Sequence, residues 1–584
     1  MFKGIIYVGD VDVEISLEEQ VQVNTDIMNM PIVLEDNEKS ILAEIKEMNP
    51  KTVKAKMLGE LINGKFIGGI LRKPNLSASI RSLTEDELRY IVGDANRGNL
   101  LLGISPFYSS KNVYVDMNEL FSKHLCIFGN TGSGKSCGIA RIMQNIFNKP
   151  DYVPYRSNFL IFDSSSEYYT AFSNINSLNP NYHYRFITTN LKSQYPHEIL
   201  SIPLWLLNVE DISLLLDVNT YTQISILEKA LKLVRIFAEG TDKAIEYQNH
   251  LIASAIMTIL YSNQGSASKR DEIFSLFNTC QTEAFNLNAV VQGIGYTRKL
   301  QECFLIDNQD NFSERVLLTE YVNSYIKPEL NQYEPEGLQK YGLVELEKAL
   351  NFTLISEGWL RNENVYADAI TLKVKLHELV IGTNGKFFDY NEFVTLDQFI
   401  SKLIVKDNQK YQIVNINLED VDDSFAKAIV KIMSRLVFDL SKRIERGSLP
   451  FNILLEEAHR YVQRDQDTAL FGYNIFDRIA KEGRKYGVLL SLISQRPVEL
   501  SDTVISQCSN FIIFKMSHPR DIEYITKMIP NITDDTIEKQ KALQVGNCLA
   551  FGSGFRIPII VRLNMPNPMP QSSSCDVATK WANN

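Results

Sequence analysis

Eight residues, GNTGSGKS from Gly129 to Ser136, have the types and spacing of a loop that binds phosphate. Glycines let the backbone curl so that successive N–H groups point inward at an anion. The apolar stretch HLCIFG precedes the loop and the helical pattern CGIARIMQNIFN follows it, which is the context that the motif requires. We therefore expect the nucleotide to be bound by Gly129, Asn130, Thr131, Gly132, Ser133, Gly134, Lys135, Ser136 and Cys137.

Two side chains of this loop would carry most of the chemistry. Lys135 would reach the β- and γ-phosphates, and the Ser136 hydroxyl would ligate Mg²⁺. A helix that opens at Lys135 adds its positive N-terminal end. The pattern predicts an ATP and Mg²⁺ site. A glycine-rich turn that matches by chance is the alternative, and the flanking strand and helix disfavour it.

A phosphate loop needs a second strand whose end supplies an acidic group. NFLIFDSSSEYY ends its strand at Asp163, whereas FNILLEEAHRYV ends at Glu456 and has a second carboxylate next to it. We assign Glu456 to the metal and Glu457 to the attacking water. The alternative is a solvated pair near the positive end of a helix. Asp163 and Glu167 are either supporting carboxylates or cap and surface groups.

Two later motifs could complete the site. VLLSLISQRP ends a strand at Gln495, whose amide could contact the γ-phosphate. RIAKEGRKYG places several cations near the end of a helix, and among them Arg484 has two interpretations. It is a charge that complements the helix dipole, or an arginine finger that acts on a neighbouring subunit. SKRIERG is interpreted as a solvated helix end, with DNA contact as the alternative.

Composition excludes several classes of protein. The 584 residues are 45% apolar, which is enough for two to four domains with their own cores. The seven cysteines and seven histidines are scattered, so neither a disulfide framework nor a zinc site is indicated. No long apolar run or leader is recognisable, and we expect a cytoplasmic protein without a membrane partner. The net charge of −10 means that contact with DNA requires a local basic surface.

Hydrophobic periodicity predicts an α/β fold with a parallel sheet. Strand patterns dominate residues 1 to about 115 and indicate a small barrel or sandwich. One helix interrupts these strands, with Thr84 as N-cap and Glu87 in a capping box. A long helical block then separates two stretches of α/β alternation. The predicted domains are an N-terminal β-barrel (1–115), the first part of the ATPase core (116–200), a helical insertion (201–385), the second part of the core (386–565) and an extended tail (566–584).

The motifs together resemble the HerA branch of the HerA–FtsK DNA-pumping ATPases. KHLCIFGNTGSGKS, FLIFDSSSEYY, LLEEAHRYV, IAKEGRKYGVLLSLISQRP and GNCLAFGSGFRIPIIVRL carry the resemblance, which extends in order to about residue 565. It implies a RecA-like core and a ring, expected to be a homo-hexamer, that translocates duplex DNA. The resemblance also implies a nuclease-like or sirtuin-like effector partner, in DNA end processing or anti-phage defence.

Three positions depart from that family's pattern or match it weakly. The usual metal-side aspartate is Glu456, and Ser166 replaces the glycine of the usual D-x-x-G-E-Y motif. At the basic position where barrel and core join, Lys123 is a candidate for a phosphate contact from a neighbour. Two other functions stay open: a secretion or conjugation motor, and a ring scaffold in which ATP binding activates an effector.

Overall fold

A computed structural model describes most of the chain, which divides into two compact units. The described residues are 4–18, 30–36, 39–62, 65–108, 110–192, 197–358, 363–463, 467–528 and 534–571, with positions 577 and 581. Unit 1 comprises Met1–Glu198, Ile400–Asp465 and Asn474–Asn584, and unit 2 comprises Ile199–Phe399 and Gln466–Tyr473. None of the helices among the described residues combines the length and apolar composition that crossing a membrane requires.

The N-terminal part of unit 1 is a seven-stranded antiparallel sheet ordered β1-β2-β5-β4-β3-β7, with β6 on β5. Its strands are β1 (Gly4–Val8), β2 (Asp12–Leu17), β3 (Pro31–Glu35), β4 (Ser40–Met48), β5 (Thr52–Ile62), β6 (Lys65–Gly68) and β7 (Ser79–Ser82). In the part of this sheet that the structure describes, no pairing joins β1 to β7, so closure into a barrel stays a prediction. Helix α1 (Glu85–Val92) follows, with the predicted capping box of Thr84 and Glu87.

A second, twelve-stranded sheet forms the core of unit 1. Its order is β13-β12-β18-β11-β19-β20-β10-β21-β22-β23-β8-β9. The strands are β8 (Asn99–Ile104), β9 (Asn112–Asp116), β10 (His124–Phe128), β11 (Phe159–Asp163), β12 (Tyr184–Thr188), β13 (Glu198–Ile199), β18 (Ile413–Asn417), β19 (Phe451–Leu455), β20 (Val488–Ser494), β21 (Cys508–Phe514), β22 (Asn547–Gly552) and β23 (Ile559–Arg562). Two short strands, β16 (Val405–Lys406) and β17 (Gln409–Lys410), pair with each other.

The prediction of a parallel sheet requires a correction. Neighbouring strands are parallel from β12 to β21, but β21, β22, β23, β8 and β9 pair in antiparallel fashion. The connection from β22 to β23 is too short for the crossover helix that a parallel pair needs. Strand β8 and all of β9 except its last residue, Asp116, lie within 1–115, so the core sheet includes residues that we assigned to the N-terminal domain.

Helices connect the parallel strands, whose apolar residues are buried on both faces. In β10, β11 and β20 every residue is buried, which explains their nearly continuous apolar sequences. Besides α1, the α-helices described in unit 1 are α2 (Met117–Phe121), α3 (Lys135–Phe147), α4 (Tyr169–Phe172), α13 (Asp423–Arg443), α15 (Ile475–Tyr486), α16 (Asp502–Gln507), α17 (Pro519–Met528) and α18 (Asp534–Lys541). The carboxyl ends of the parallel strands therefore meet at one edge, where ligands bind in open α/β sheets.

Unit 2 is mainly helical and has its own apolar core. It contains α5 (Val209–Leu215), α6 (Tyr221–Glu239), α7 (Asp242–Leu260), α8 (Ser266–Thr279), α9 (Arg315–Asn323), α10 (Leu343–Ser356), α11 (Glu363–Ile381) and α14 (Asp467–Phe471), with α12 (Leu396–Ile404) at its boundary. A hairpin of β14 (Val290–Gly293) and β15 (Tyr296–Lys299) interrupts the helices. Thr220 and Thr241 cap α6 and α7 through their side chains, which fixes where these helices begin.

Candidate nucleotide site

The phosphate loop connects β10 to α3. Gly132 and Gly134 adopt φ values of 72° and 103°, in the left-handed region that favours glycine. A Cβ atom on Gly129 would lie 2.6 Å from Ser133 Oγ and 2.7 Å from Phe514 Cβ, so a larger residue does not fit there. The glycines of the motif are thus required by backbone conformation and by space.

Lys135 begins α3 and lies inside the loop. Its Nζ donates a hydrogen bond of 2.9 Å to the carbonyl oxygen of Asn130, and the residue is only 8% exposed. Burial lowers the pKa of Lys135, and the nearby carboxylates of Glu457 and Glu456 oppose that shift. The ammonium group is therefore held beside the loop, where phosphate oxygens could take the place of the carbonyl.

The two glutamates at the end of β19 both line the same cavity, whose volume is about 320 Å³. Strand β19 ends at Leu455, and Glu457 adopts φ 48° and ψ 47°. This left-handed residue turns the chain, so the two successive side chains do not point to opposite faces as they would in a strand. The expectation that the chain turns at the strand end is confirmed, although the roles of the two residues stay predictions.

Both carboxyl groups are buried, but their surroundings differ. Burial raises the pKa of Glu456 well above its ordinary value, and the neighbouring Asp163 and Glu167 raise it further. Burial also raises the pKa of Glu457, where Lys135 works in the opposite direction. Other carboxyl groups therefore add to the upward pKa shift of Glu456, whereas Glu457 has a cation beside it that reduces the shift.

Gln495, directly after β20, connects the loop to Glu457. Thr131 Oγ1 donates a 2.5 Å hydrogen bond to Gln495 Oε1, and Gln495 Nε2 donates a 3.2 Å hydrogen bond to Glu457 Oε1. The other carboxylate oxygen of Glu457 lies 3.3 Å from His459 Nδ1, but without the angles of a hydrogen bond. Burial lowers the pKa of His459 and favours its neutral form. The Gln495 amide thus bridges Thr131 of the phosphate loop and the carboxylate of Glu457.

Asp163 organises the loop that follows β11. It is fully buried and accepts hydrogen bonds from the backbone N–H groups of Ser165, Glu167 and Tyr168 at 3.1–3.3 Å. The side chain of Asn415 donates a further bond of 3.1 Å. These contacts place Glu167 in the wall of the nucleotide cavity. Asp163 therefore holds the loop in place, and Glu167 is the carboxylate that this loop presents.

The residues present fit Mg²⁺ bound together with a nucleotide. Within the described ranges, no group of three His, Cys, Asp or Glu side chains could hold a metal ion by itself. Mg²⁺ usually keeps several waters and takes only one or two protein ligands beside the substrate phosphates. Ser136 and Glu167 line the cavity, and the Oε2 atoms of Glu167 and Glu456 are buried without a hydrogen-bond partner. A hydrated cation would satisfy these oxygens.

Comparison with known proteins supplies the family. Residues 100–437, more than half of the chain, match the family model described as "Helicase HerA, central domain". The chain belongs to the HerA family. The resemblance predicted from the motifs is confirmed at this level, and with it the assignment to the P-loop ATPases.

Curated HerA proteins are similar over different lengths. The DNA double-strand break repair helicase HerA of Saccharolobus solfataricus is 28% identical over 203 residues, which cover 34% of this chain and only 40% of that protein. A probable DNA double-strand break repair helicase HerA of Methanocaldococcus jannaschii is 22% identical over 552 residues, with 93% and 90% covered. Among solved structures, VirB4 of Thermoanaerobacter pseudethanolicus superposes with a TM-score of 0.45 at 14% identity, covering 81% of this chain and 98% of that chain.

Two cations predicted to act on this HerA-family site lie away from the chain's own cavity. Arg484 is exposed and borders a different cavity of about 720 Å³, together with Phe159 and Phe451, the first residues of β11 and β19. A five-residue strand spans roughly 15 Å, so Arg484 lies at the opposite edge of the sheet from its own phosphate loop. Lys123 forms an ion pair with Glu119 one helical turn earlier.

Sequence reasoning missed the C-terminal wall of the HerA-family site. Val545, Gly546, Asn564 and Met565 line the nucleotide cavity, although they were assigned no role. The backbone N–H of Gly546 donates a 3.2 Å hydrogen bond to the carbonyl oxygen of Ser133, directly in the phosphate loop. The only local signal was a glycine just before a strand, and Gly546 does adopt a left-handed φ of 81°.

Proposed function

We propose that this HerA-family chain is an ATP-hydrolysing motor that assembles into a homo-hexameric ring and moves duplex DNA through it. One observation supports the proposal most directly. Lys135 and Ser136 of the phosphate loop share one cavity with Glu456 and Glu457, and Gln495 connects Thr131 to Glu457. Phosphate binding, activation of water and detection of the γ-phosphate are thus combined at adjacent strand ends.

Nucleotide binding depends on the loop and the start of α3. The left-handed glycines turn backbone N–H groups toward the phosphates, and the helix N-terminus favours their negative charge. The Lys135 ammonium exchanges its bond to the Asn130 carbonyl for phosphate oxygens. Ser136 and Glu456 would hold Mg²⁺, which when bound neutralises charge on the β- and γ-phosphates.

Hydrolysis depends on Glu457. Its carboxylate accepts a hydrogen bond from a water molecule and orients that water for in-line attack on the γ-phosphorus. As the new oxygen–phosphorus bond forms and the bond to ADP breaks, the water proton passes to the carboxylate and then to phosphate. Gln495 accepts a hydrogen bond from Thr131 and donates one to Oε1 of Glu457. A shift of Thr131 on loss of the γ-phosphate can therefore change the position of the Glu457 carboxylate through Gln495.

Movement of DNA requires basic residues concentrated in a channel, because the net charge of the chain is −10. A ring repeats the same few Lys and Arg side chains in every subunit, which produces such a surface from an acidic protein. Binding should therefore weaken steeply with salt and show little sequence preference. The chain is similar to DNA double-strand break repair helicases, which supports DNA as the substrate. A nuclease-like or sirtuin-like effector as the partner rests on the family resemblance of the motifs alone.

ATP turnover with and without duplex DNA tests the proposal, with molecular mass measured in the same buffer. We expect a hexameric mass, stimulation by duplex DNA, and loss of DNA binding as salt rises from about 50 to 200 mM. Slow turnover that DNA leaves unchanged in a stable ring would instead favour the scaffold. Absence of DNA binding at low salt, with turnover that a protein substrate stimulates, would favour the secretion motor.

A further inference from the structure

His124 is a buried histidine at the start of β10, and both of its ring nitrogens have backbone partners. The residue is 3% exposed. The backbone N–H of Leu490 on β20 donates a 3.0 Å hydrogen bond to Nδ1, and Nε2 lies 3.0 Å from the carbonyl oxygen of Ala480 on α15. Because a backbone N–H can only donate, the proton of the neutral ring resides on Nε2, which donates to Ala480. The side chain therefore joins β10 to one strand and one helix.

The surroundings of the His124 ring favour its neutral form. Burial lowers the pKa of His124 to about 4, although the bond to the Ala480 carbonyl acts in the opposite direction. The positive charge of Arg484 also lowers this pKa, so the arginine lies within electrostatic reach of the ring. At neutral pH the imidazole is thus uncharged and keeps one fixed donor and one fixed acceptor.

The carbonyl that His124 binds belongs to the turn of α15 that carries Arg484. In an α-helix the carbonyl of Ala480 accepts the backbone N–H of the residue four positions later, which is Arg484. A carbonyl oxygen has two lone pairs and can accept both bonds. The same turn lies directly on β20, because a Cβ atom on Gly483 would be 2.3 Å from the carbonyl oxygen of Val488. The backbone of Arg484 is therefore fixed relative to both β10 and β20.

We propose that His124 is a positioning residue for catalysis between subunits, because it holds α15 where Arg484 can reach the nucleotide of the neighbouring subunit. This inference rests on the proposed function and on the arginine-finger interpretation of Arg484. Strand β10 begins at His124 and leads into the phosphate loop at its other end. One strand thus connects the nucleotide of a subunit to the arginine that the same subunit offers to its neighbour.

Two substitutions separate the two hydrogen bonds of the ring. In His124→Gln the amide nitrogen can take the place of Nε2, so a donor for Ala480 remains and the acceptor for Leu490 is lost. In His124→Asn the shorter side chain brings its oxygen near the place of Nδ1, so only the bond to Leu490 remains. Because a small misplacement of a catalytic group is costly, we expect His124→Asn to lower kcat by about 10²-fold. His124→Gln should keep kcat near the wild-type value, and neither variant should change ADP affinity.

Mixed rings show on which nucleotide site His124 acts. A subunit with His124→Asn has an intact Glu457 but a displaced Arg484, so mixing it with inactive Glu457→Gln should restore part of the turnover. Mixing it with Arg484→Ala should add nothing, because every subunit then lacks a working arginine. The opposite pattern, restoration by Arg484→Ala and none by Glu457→Gln, would mean that His124 supports its own phosphate loop, and it would overturn the proposal.

His250→Asn is the matched control, because His250 of unit 2 is also buried, with Nε2 beside Asn331 and a bond from the backbone N–H of Lys327 to Nδ1. It should lower the melting temperature, as His124→Asn does, but keep the kcat of folded rings. Equal losses of kcat in the two asparagine variants would overturn the positioning role.

Three further results would also overturn the positioning role and leave the ATPase proposal standing: full activity of His124→Asn, full activity of Arg484→Ala, or a loss in His124→Gln as large as that in His124→Asn. If His124→Asn does not form rings, the kcat of His124→Gln decides, since its loss contradicts the role of the bond to Ala480. Wild-type rings that do not hydrolyse ATP would contradict the proposed function itself.

Discussion

At the residue scale, the site depends on two neighbouring glutamates with different surroundings. Glu457 has a left-handed backbone, an amide partner in Gln495 and a cation nearby in Lys135. Glu456 is 4% exposed and has other carboxyl groups as its neighbours. These different surroundings are consistent with the proposed roles, in which Glu457 activates water and Glu456 binds the cation.

Glu457→Gln should bind ATP and lose turnover. The substitution removes the charge that orients water but hardly changes volume, so we expect a fall in kcat of about 10² to 10⁴-fold with little change in nucleotide affinity. Lys135→Ala should lose nucleotide binding itself. Glu445→Gln, which removes the same charge from an exposed position just after α13, is the control. Steady-state ATPase assays and ADP titration distinguish these results, and near wild-type turnover of Glu457→Gln would exclude the assigned role.

Glu456→Gln should stabilise the ligand-free protein at neutral pH. Because the folded pKa of Glu456 lies above its unfolded value, the folded state binds more protons, and stability decreases as pH rises through that interval. Replacement of the carboxyl by an amide should add about 1–3 kcal/mol above that interval and little near pH 4. Melting curves from pH 4 to pH 8 provide the comparison. A difference between variant and wild type that does not grow with pH would contradict this explanation.

At the scale of elements, the loop between β11 and α4 shows how one position deviates from its family. Ser166 adopts φ 57°, a left-handed conformation in which glycine is favoured and in which the usual motif has glycine. The hydrogen bonds to Asp163 hold the loop in this form despite the strain. The serine therefore raises the conformational energy of the loop without changing the path of its backbone.

Ser166→Gly should raise the free energy of unfolding by about 0.5–1 kcal/mol. A side chain in the left-handed region costs about 1–2 kcal/mol, part of which the greater unfolded-state freedom of glycine offsets. Ser165→Gly is a matched control in the same loop, because Ser165 has no positive φ and should lose stability on substitution. Denaturant titration of both variants measures the difference. Equal destabilisation of the two would mean that Ser166 is not strained.

At the scale of the whole molecule, the position of Arg484 connects catalysis to assembly. Its guanidinium lies at the edge of the core sheet opposite the phosphate loop, and no ion pair within the described part of the chain involves it. If this arginine stabilises γ-phosphate charge, it must do so in another subunit's site. A monomer would then hydrolyse ATP slowly.

Arg484→Ala should bind nucleotide normally and lose turnover by about 10³-fold or more, the range expected of arginine fingers. Lys481→Ala, an exposed cation one turn earlier on α15, should keep its activity. Mixing inactive Arg484→Ala with inactive Glu457→Gln should restore part of the activity, because some interfaces pair an intact arginine with an intact glutamate. If verified mixed rings remain inactive, the arginine does not act between subunits.

The sequence by itself determined the elements whose signals are local. The phosphate loop, the start of α3 at Lys135, the capping box of Thr84 and Glu87, and the ends of β19 and β20 depend on residues a few positions apart. Backbone propensity, capping and hydrophobic periodicity act over that range, so these features can be predicted from the local sequence.

Only the tertiary structure decided which of these elements contact each other. The bond between Thr131 and Gln495 spans 364 positions, and the contact of Gly546 with Ser133 closes a cavity between segments even farther apart. Two further features also became known only from the structure. Strands β22, β23, β8 and β9 extend the core sheet in antiparallel fashion, and Glu457 adopts a left-handed turn. Strand order and long-range contacts follow from how apolar faces are buried together, and a single sequence carries no local signal for them.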